Sequence, residues 1–325
     1  MTMPLPVFEY HTPATAEGAA QLLADPQHPA TLIGGGTDLL PAMKRRQVTP
    51  ATLVSLSAID SLRGIQIEDD GRCTIGASTL LREVEDSTVV PQVLATAAGL
   101  IASPQIRNTA TVGGNLCLDT RCNYIDMPDL WRQASGHCMK EGGEVCWVAP
   151  KGNRCWAVSS SDLAPVTIAL GGEVRLIGAL GERTIPIGDL YQSDGITFQT
   201  KTADEILVSI TLPADPTRAT YRKLRRRGAI DFPILGVAAA GRFDADGTCL
   251  WARVVISAVA PAPIRATEAE DFIVGRRLTG EVIEEAARLA AVLVRPQDNT
   301  DMGSRYRKWM APVFVTRALH DLEEM

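Results

Sequence analysis

Several features are scarce in this sequence, and each scarcity closes off a class of function. No stretch of about 18 consecutive apolar residues occurs in the 325-residue chain, so no membrane-spanning helix is expected. Basic excess is missing too. The 32 Lys and Arg stand against 38 Asp and Glu, a net charge of −6, which leaves no basic face for general nucleic-acid binding. Histidine numbers only four: His11, His28, His137 and His320 are scattered and lack paired acids at a spacing that suggests catalysis, so no Ser-His-Asp set can be argued. The start, Met1-Thr2-Met3-Pro4-Leu5-Pro6, lacks a basic stretch followed by a long apolar core. No secretory signal is therefore expected, and a cytoplasmic address follows as the expectation.

What is present is an ordinary globular mixture, 46% hydrophobic and 22% charged, in a chain long enough for two or three domains. The first part reads as α/β. Thr12 is expected to cap a helix over 14–23, with Pro13 at its first position. A strand over 30–33, a short helix over 38–45, a strand over 52–56 and a strand over 73–77 follow. Ser78 or Thr79 is expected to cap a helix over 80–85. A longer helix over 91–102 is expected to end at Pro104. A further helix runs to Leu170 and stops at Gly171-Gly172. After Gly178 strands dominate: 183–187, 205–212, 219–225, 234–243 and 249–258. In the last of these Leu250, Ala252, Val254, Ile256 and Ala258 alternate, which predicts a half-buried antiparallel strand. Helices over 265–273, 281–293 and 304–323 close the chain. The domain boundary is expected near 178.

Two turns can hold phosphate. Leu32-Ile33-Gly34-Gly35-Gly36-Thr37-Asp38-Leu39 is entered by a strand and left by a helix. Its glycines let backbone N–H groups turn to one point. Ala110-Thr111-Val112-Gly113-Gly114-Asn115 again combines small residues that permit close approach. Neither follows G-x-G-x-x-G or a Walker loop. Each alone reads equally as a tight turn; two in one domain suit a dinucleotide pyrophosphate gripped from both sides, as in FAD.

Five of the seven cysteines fall in Cys117-x4-Cys122-x15-Cys138-x7-Cys146-x8-Cys155, while Cys73 and Cys249 are isolated. In a reducing compartment such clustering points to metal or redox chemistry before disulfides. Structural zinc prefers two close pairs, and only Cys117 and Cys122 approach that spacing. An iron–sulfur cluster tolerates irregular spacing in a folded loop. Unligated thiols are the third reading. Cys117 belongs to the glycine turn, and Gly142-Gly143 allows a reversal that brings Cys138 to Cys146. The expected ligands are therefore Cys122, Cys138, Cys146 and Cys155. Arg121, Lys140, Lys151 and Arg154 are expected to offset cluster charge, and His137 is a conceivable ligand.

The two glycine turns, with Pro104-Gln105-Ile106-Arg107-Asn108, Ser161-Asp162-Leu163-Ala164-Pro165, Asp204-Glu205-Ile206-Leu207, Tyr221-Arg222-Lys223 and the segment from Asp301 to Arg307, resemble the FAD-binding medium subunits of xanthine oxidase-family molybdenum hydroxylases. The likeness runs over nearly the whole chain. The cysteine insert narrows it, since the chain then resembles the flavin subunits of 4-hydroxybenzoyl-CoA reductases, in which such a loop carries a 4Fe-4S cluster on the same four cysteines. The resemblance implies an α+β fold. A non-Rossmann FAD-binding domain of PCMH/VAO type would span 1–178, in subdomains of about 1–58 and 59–178 with an insert at about 116–160. A C-terminal α+β domain, an antiparallel sheet with helices, would span 179–325. It implies that residues 32–39 and 110–115 hold the pyrophosphate. Asp162 would meet the cofactor's sugar-chain hydroxyls, and Ile101, Leu207 and Lys223 would line the flavin; Asn123 is counted among the cofactor contacts. It implies partners as well: a molybdenum large subunit, a small subunit with two 2Fe-2S clusters, a dimer of such trimers, and ferredoxin as electron donor.

The chain thus reads as an electron relay without an active site of its own. A sister enzyme with another aromatic or N-heterocyclic substrate is the second reading. A zinc-stapled nucleotide-binding regulatory protein is the third.

Overall fold

A computed structural model describes residues 3–214 and 217–325. The first layer is a small parallel sheet. Strands β1 (Glu9–His11), β2 (Ala30–Ile33) and β3 (Thr52–Ser55) lie in the order β1-β3-β2. Helices α1 (Ala16–Leu23) and α2 (Leu39–Lys44) connect them. Thr15, not Thr12, caps α1, because its Oγ1 accepts the Gly18 N–H at 3.0 Å.

The second layer is antiparallel. It holds β4 (Ile65–Ile67), β5 (Cys73–Gly76), β6 (Glu173–Gly178), β7 (Gly181–Pro186) and β8 (Ile206–Leu212), in the order β4-β5-β8-β6-β7. Between β5 and β6 the chain makes α3 (Leu81–Asp86), α4 (Gln92–Gly99), α5 (Pro104–Arg107), α6 (Val112–Leu116), α7 (Asp129–Ala134) and α8 (Leu163–Ala169). The start of α3 differs from expectation: Glu83 reaches back to the Leu80 N–H at 2.8 Å, while Thr79 is turned to Gly64. Pro104 opens α5 instead of closing α4, which stops at Gly99.

The boundary expected at 178 cuts this sheet. β7 pairs with β6, and β8 pairs with both β5 and β6, so the sheet is complete only at Leu212. A change of local composition at Gly178 was a poor guide, because a hairpin turn between β6 and β7 has the same residues as a linker.

The third layer comprises β9 (Arg218–Leu224), β10 (Leu235–Phe243), β11 (Cys249–Ser257) and β12 (Ile264–Arg265), antiparallel in the order β12-β11-β10-β9. Helices α9 (Thr267–Ile273), α10 (Gly280–Val292) and α11 (Ser304–Glu324) cover one face. The other face packs on α8. β11 is therefore not half-buried as the alternation predicts. Val254 and Ile256 enter the core under α9–α11, and Val255 between them enters the core shared with α8. Leu250 stands outside both, 52% exposed. Every residue of α8 is buried, and a helix apolar all round belongs between layers.

Candidate functional site

The two glycine turns meet. Gly36 has φ +70°, which lets the chain leave β2 and enter α2. A Cβ on Gly35 would lie 2.0 Å from the Thr109 carbonyl oxygen, and one on Gly34 would lie 3.1 Å from Thr111 Oγ1. Only glycine allows the first turn to lie on the second. Thr111 caps α6 by accepting the Gly114 N–H at 3.1 Å, and the Gly113 N–H donates to the Ala77 carbonyl at 2.7 Å. Leu32, Ile33, Thr37, Asp38 and Leu39 complete the first turn, and Ala110, Val112 and Asn115 the second.

The second turn is tied to α8. Asn115 Oδ1 accepts Ser161 Oγ at 2.8 Å and the Leu163 N–H at 3.1 Å. Asp162, between them, is buried. Its Oδ1 accepts the Tyr221 hydroxyl at 2.7 Å, and its Oδ2 accepts Lys223 Nζ at 2.9 Å. Lys223 also donates to the Leu100 carbonyl at 2.9 Å, beside the buried Ile101. The Lys223 and Asp162 side chains are only 1% and 3% exposed, so the lysine is no solvated strand end. Burial pushes the Asp162 carboxyl up and the Lys223 ammonium down, and each opposes the other's shift by attraction. Burial likewise raises the Tyr221 phenol well above its ordinary range. Asp162, Lys223 and Ile101 are thus brought together. Leu207, on β8, packs with Ile101, Ala110 and Val112 in one core. Tyr221 stood in one of the resemblance motifs but was given no role, although it shares a strand face with Lys223.

The insert folds into a second site. Gly142 has φ +89°, and the Met139 N–H donates to the Val145 carbonyl at 3.0 Å, so the chain reverses between Cys138 and Cys146. Cys122, Cys138, Cys146 and Cys155 are buried free thiols that line one cavity with Tyr124, Met139, Lys140 and Trp147. Burial pushes the Cys122 thiol up to about 11, and the three other thiols add to the shift. Cys117 stays outside this lining. Among the described residues no group of three or more His, Cys, Asp or Glu side chains is placed to hold a metal ion.

Of the four cations expected here, Lys140 alone lines the cavity. Its Nζ donates to the Gly195 carbonyl at 2.7 Å, Thr120 Oγ1 at 2.9 Å and Asp119 Oδ1 at 2.8 Å. Arg121 lies over Phe232 and Arg154 over Trp156, while Lys151 is exposed. These three miss the cavity because rings and solvent hold them. His137 is also outside the lining, its Nδ1 3.2 Å from Glu141 Oε2. Asn123 is exposed, and its N–H donates to the Asn299 carbonyl at 2.7 Å. Gly195 was missed: a Cβ there would lie 2.7 Å from Cys155 Sγ. The Ser193-Asp194-Gly195 turn chemistry was the available signal. The insert rests on the residues that follow α2, the helix leaving the first glycine turn: Gln47 Nε2 donates to the Ile125 carbonyl at 2.8 Å and Arg45 pairs with Asp126.

Residues 6–215 match the family of FAD binding domains in molybdopterin dehydrogenases, and residues 219–322 match the CO dehydrogenase flavoprotein C-terminal domain. The chain belongs to the FAD-binding medium-subunit family of molybdenum hydroxylases. Its members resemble it from end to end. It is 30% identical over 320 residues to the carbon monoxide dehydrogenase medium chain of Hydrogenophaga pseudoflava, covering 97% of this chain and 96% of that one. It is 27% identical over 320 residues to the xanthine dehydrogenase FAD-binding subunit of Escherichia coli O157:H7, covering 96% and 94%. The solved Hydrogenophaga pseudoflava carbon monoxide dehydrogenase lacking the Mo-pyranopterin moiety superposes with a TM-score of 0.81, at 30% identity and 98% of each chain. The fold of this family is that of the FAD-binding domain followed by the C-terminal flavoprotein domain, as the resemblance implied. The division between the two matches, at 215 and 219, falls where the second sheet ends and the third begins. Among the described residues no helix is long and apolar enough to cross a membrane.

Proposed function

We propose that this family member is the electron-relay subunit of a molybdenum-containing reductase, holding FAD at the glycine turns and a 4Fe-4S cluster on Cys122, Cys138, Cys146 and Cys155. The observation that carries this reading is the single cavity lined by four buried thiols from distant points of the insert. A tetrahedral zinc ion needs four sulfurs about 2.3 Å from one point. An iron–sulfur cube holds its thiolates at separate corners around a larger centre, which suits a cavity better than a point.

When bound, the cluster supplies single-electron exchange and the flavin one- or two-electron storage. The chain's own residues bind and orient. Residues 32–39 and 110–115 grip the pyrophosphate. Asp162 meets the sugar-chain hydroxyls, and Ile101, Leu207 and Lys223 line the flavin, with Asn123 a further contact. Lys223, held by Asp162 and the Leu100 carbonyl, keeps a cation at a fixed place and favours negative charge on a reduced ring. Lys140 keeps positive charge against the thiol cavity, where it offsets thiolates.

The partners in this reading are a molybdenum large subunit and a small subunit with two 2Fe-2S clusters, in a dimer of trimers. Ferredoxin is the electron donor and the cytoplasm the location. The complex would remove the phenolic hydroxyl of 4-hydroxybenzoyl-CoA at a molybdenum site in another chain. The breadth of the relatives, which include enzymes named for carbon monoxide, xanthine and nicotinate, supports a sister substrate as second reading. Counting iron, sulfide and FAD in the purified complex tests the relay, and a colourless zinc protein would sink it. Replacing Cys146→Ser is expected to remove iron and leave flavin. Assay of the complex with 4-hydroxybenzoyl-CoA against other aromatic thioesters and N-heterocycles separates the two substrates.

A further inference from the structure

Asn299 lies far from the insert in sequence, in the segment between α10 and α11, and it is fully buried. Its backbone carbonyl accepts the N–H of Asn123, the residue after Cys122, at 2.7 Å. Its side-chain Nδ2 donates to the carbonyl of Trp156, the residue after Cys155, at 2.6 Å. One residue of the C-terminal domain therefore holds the two chain segments that carry the first and last thiols of the cavity. Asn299 Oδ1 has no hydrogen-bond partner, so an apolar residue would serve packing alone at lower desolvation cost.

The segment bearing Asn299 is itself anchored. Arg307 of α11, wholly buried, donates to the carbonyls of Gln297 and Ala258. The Asn299 N–H donates to the Gln297 carbonyl at 2.9 Å. A second tie joins the end of the insert to the C-terminal domain, from the Ser159 N–H to the Ala260 carbonyl at 3.0 Å. The insert is consequently clamped from outside, with its two ends gathered at one residue.

We infer that Asn299 is a positioning residue for the thiol cage: by fixing the peptides that follow Cys122 and Cys155 it sets how far apart those two sulfurs stand. This inference rests on the cluster reading above. Residues outside a metal's own ligands typically change metal affinity by about 10–100-fold when they are lost.

The test uses the intact complex, purified anaerobically, with Asn299→Asp, Asn299→Ala and Asn299→Gln. Asn299→Asp keeps the shape and loses the donor. The first measurement is the iron and sulfide content of the unaltered protein; absence of both sinks the cluster reading and this inference with it. With iron present, Asn299→Asp and Asn299→Ala are expected to release iron to a chelator about 10–100-fold faster and to alter the electron paramagnetic resonance signal of the reduced cluster. FAD content should stay unchanged, and Asn299→Gln, which keeps an amide donor, should remain nearer the unaltered protein. Iron release within about twofold in all three variants, with an unaltered signal, overturns the inference and leaves the cluster reading standing. Loss of flavin and iron together in Asn299→Asp also overturns it, since the residue would then be a general prop. Should Asn299→Ala fail to fold, the isosteric Asn299→Asp carries the decision.

Discussion

Asp162 and Lys223 show how much a pair can depend on burial. Each is held in a state that its surroundings oppose, and each makes the other's charge tolerable. Replacing Lys223→Met leaves a buried carboxylate with only the Tyr221 hydroxyl on it. Such a change costs about 3–5 kcal/mol where one partner of a buried pair is removed. The unfolding free energy of flavin-free protein, measured in urea, should fall by that order. Asp162→Asn together with Lys223→Met should recover much of the loss, because no charge is then stranded. The family resemblance pointed to both residues but placed them as separate contacts. Their pairing joins the start of α8 to β9, and no spacing rule connects the two positions.

At the scale of elements, the outer strand β7 of the second sheet is tied by charge to the chain entering the central strand β8. Glu205, just before β8, accepts Arg183 of β7 at 2.6 and 2.9 Å and the Thr202 N–H at 2.7 Å. The Arg183 guanidinium holds the Glu205 carboxyl below its ordinary value of 4.5. A carboxyl whose folded value is depressed adds stability above its unfolded value and loses it as pH falls through the folded one. The unfolding free energy should therefore decline on acidification below about pH 4.5, and Glu205→Gln should flatten that decline in urea titrations at several pH values. Strands 183–187, 205–212, 219–225, 234–243 and 249–258 were legible from alternation and turn residues, within a residue or two of their observed ends. β1 and β4 were not, being three residues each and too short for a period to stand out, and β6 was hidden behind the glycines that flank it.

For the whole molecule, the two family domains share a core. Val255 of β11 and Ala238 of β10 lie in the same buried cluster as Leu163 and Val166 of α8 and Leu176 of β6. Arg253 of β11 donates to the Ile168 carbonyl at 3.1 Å, at the end of α8. An interface built this way should not open independently. Flavin release and loss of far-ultraviolet circular dichroism should occur at one temperature. Val255→Ala, a buried truncation costing on the order of 1–3 kcal/mol, should lower both together. Two separated transitions would mean that the C-terminal domain is stable alone.

Local chemistry by itself determined the glycine turns, the run of cysteines within an insert, the reversal at Gly142-Gly143 and the antiparallel character of the C-terminal part. Each of these depends on backbone freedom or side-chain period within a few residues. Only the tertiary structure decided that the first sheet is parallel and that β8 returns to pair with β5. It alone turned Lys140, and not its three neighbouring cations, toward the thiols, and brought Asn299 to the ends of the insert. Those outcomes rest on contacts between residues tens to hundreds of positions apart, where the energy of burial and pairing selects among arrangements that look alike along the chain.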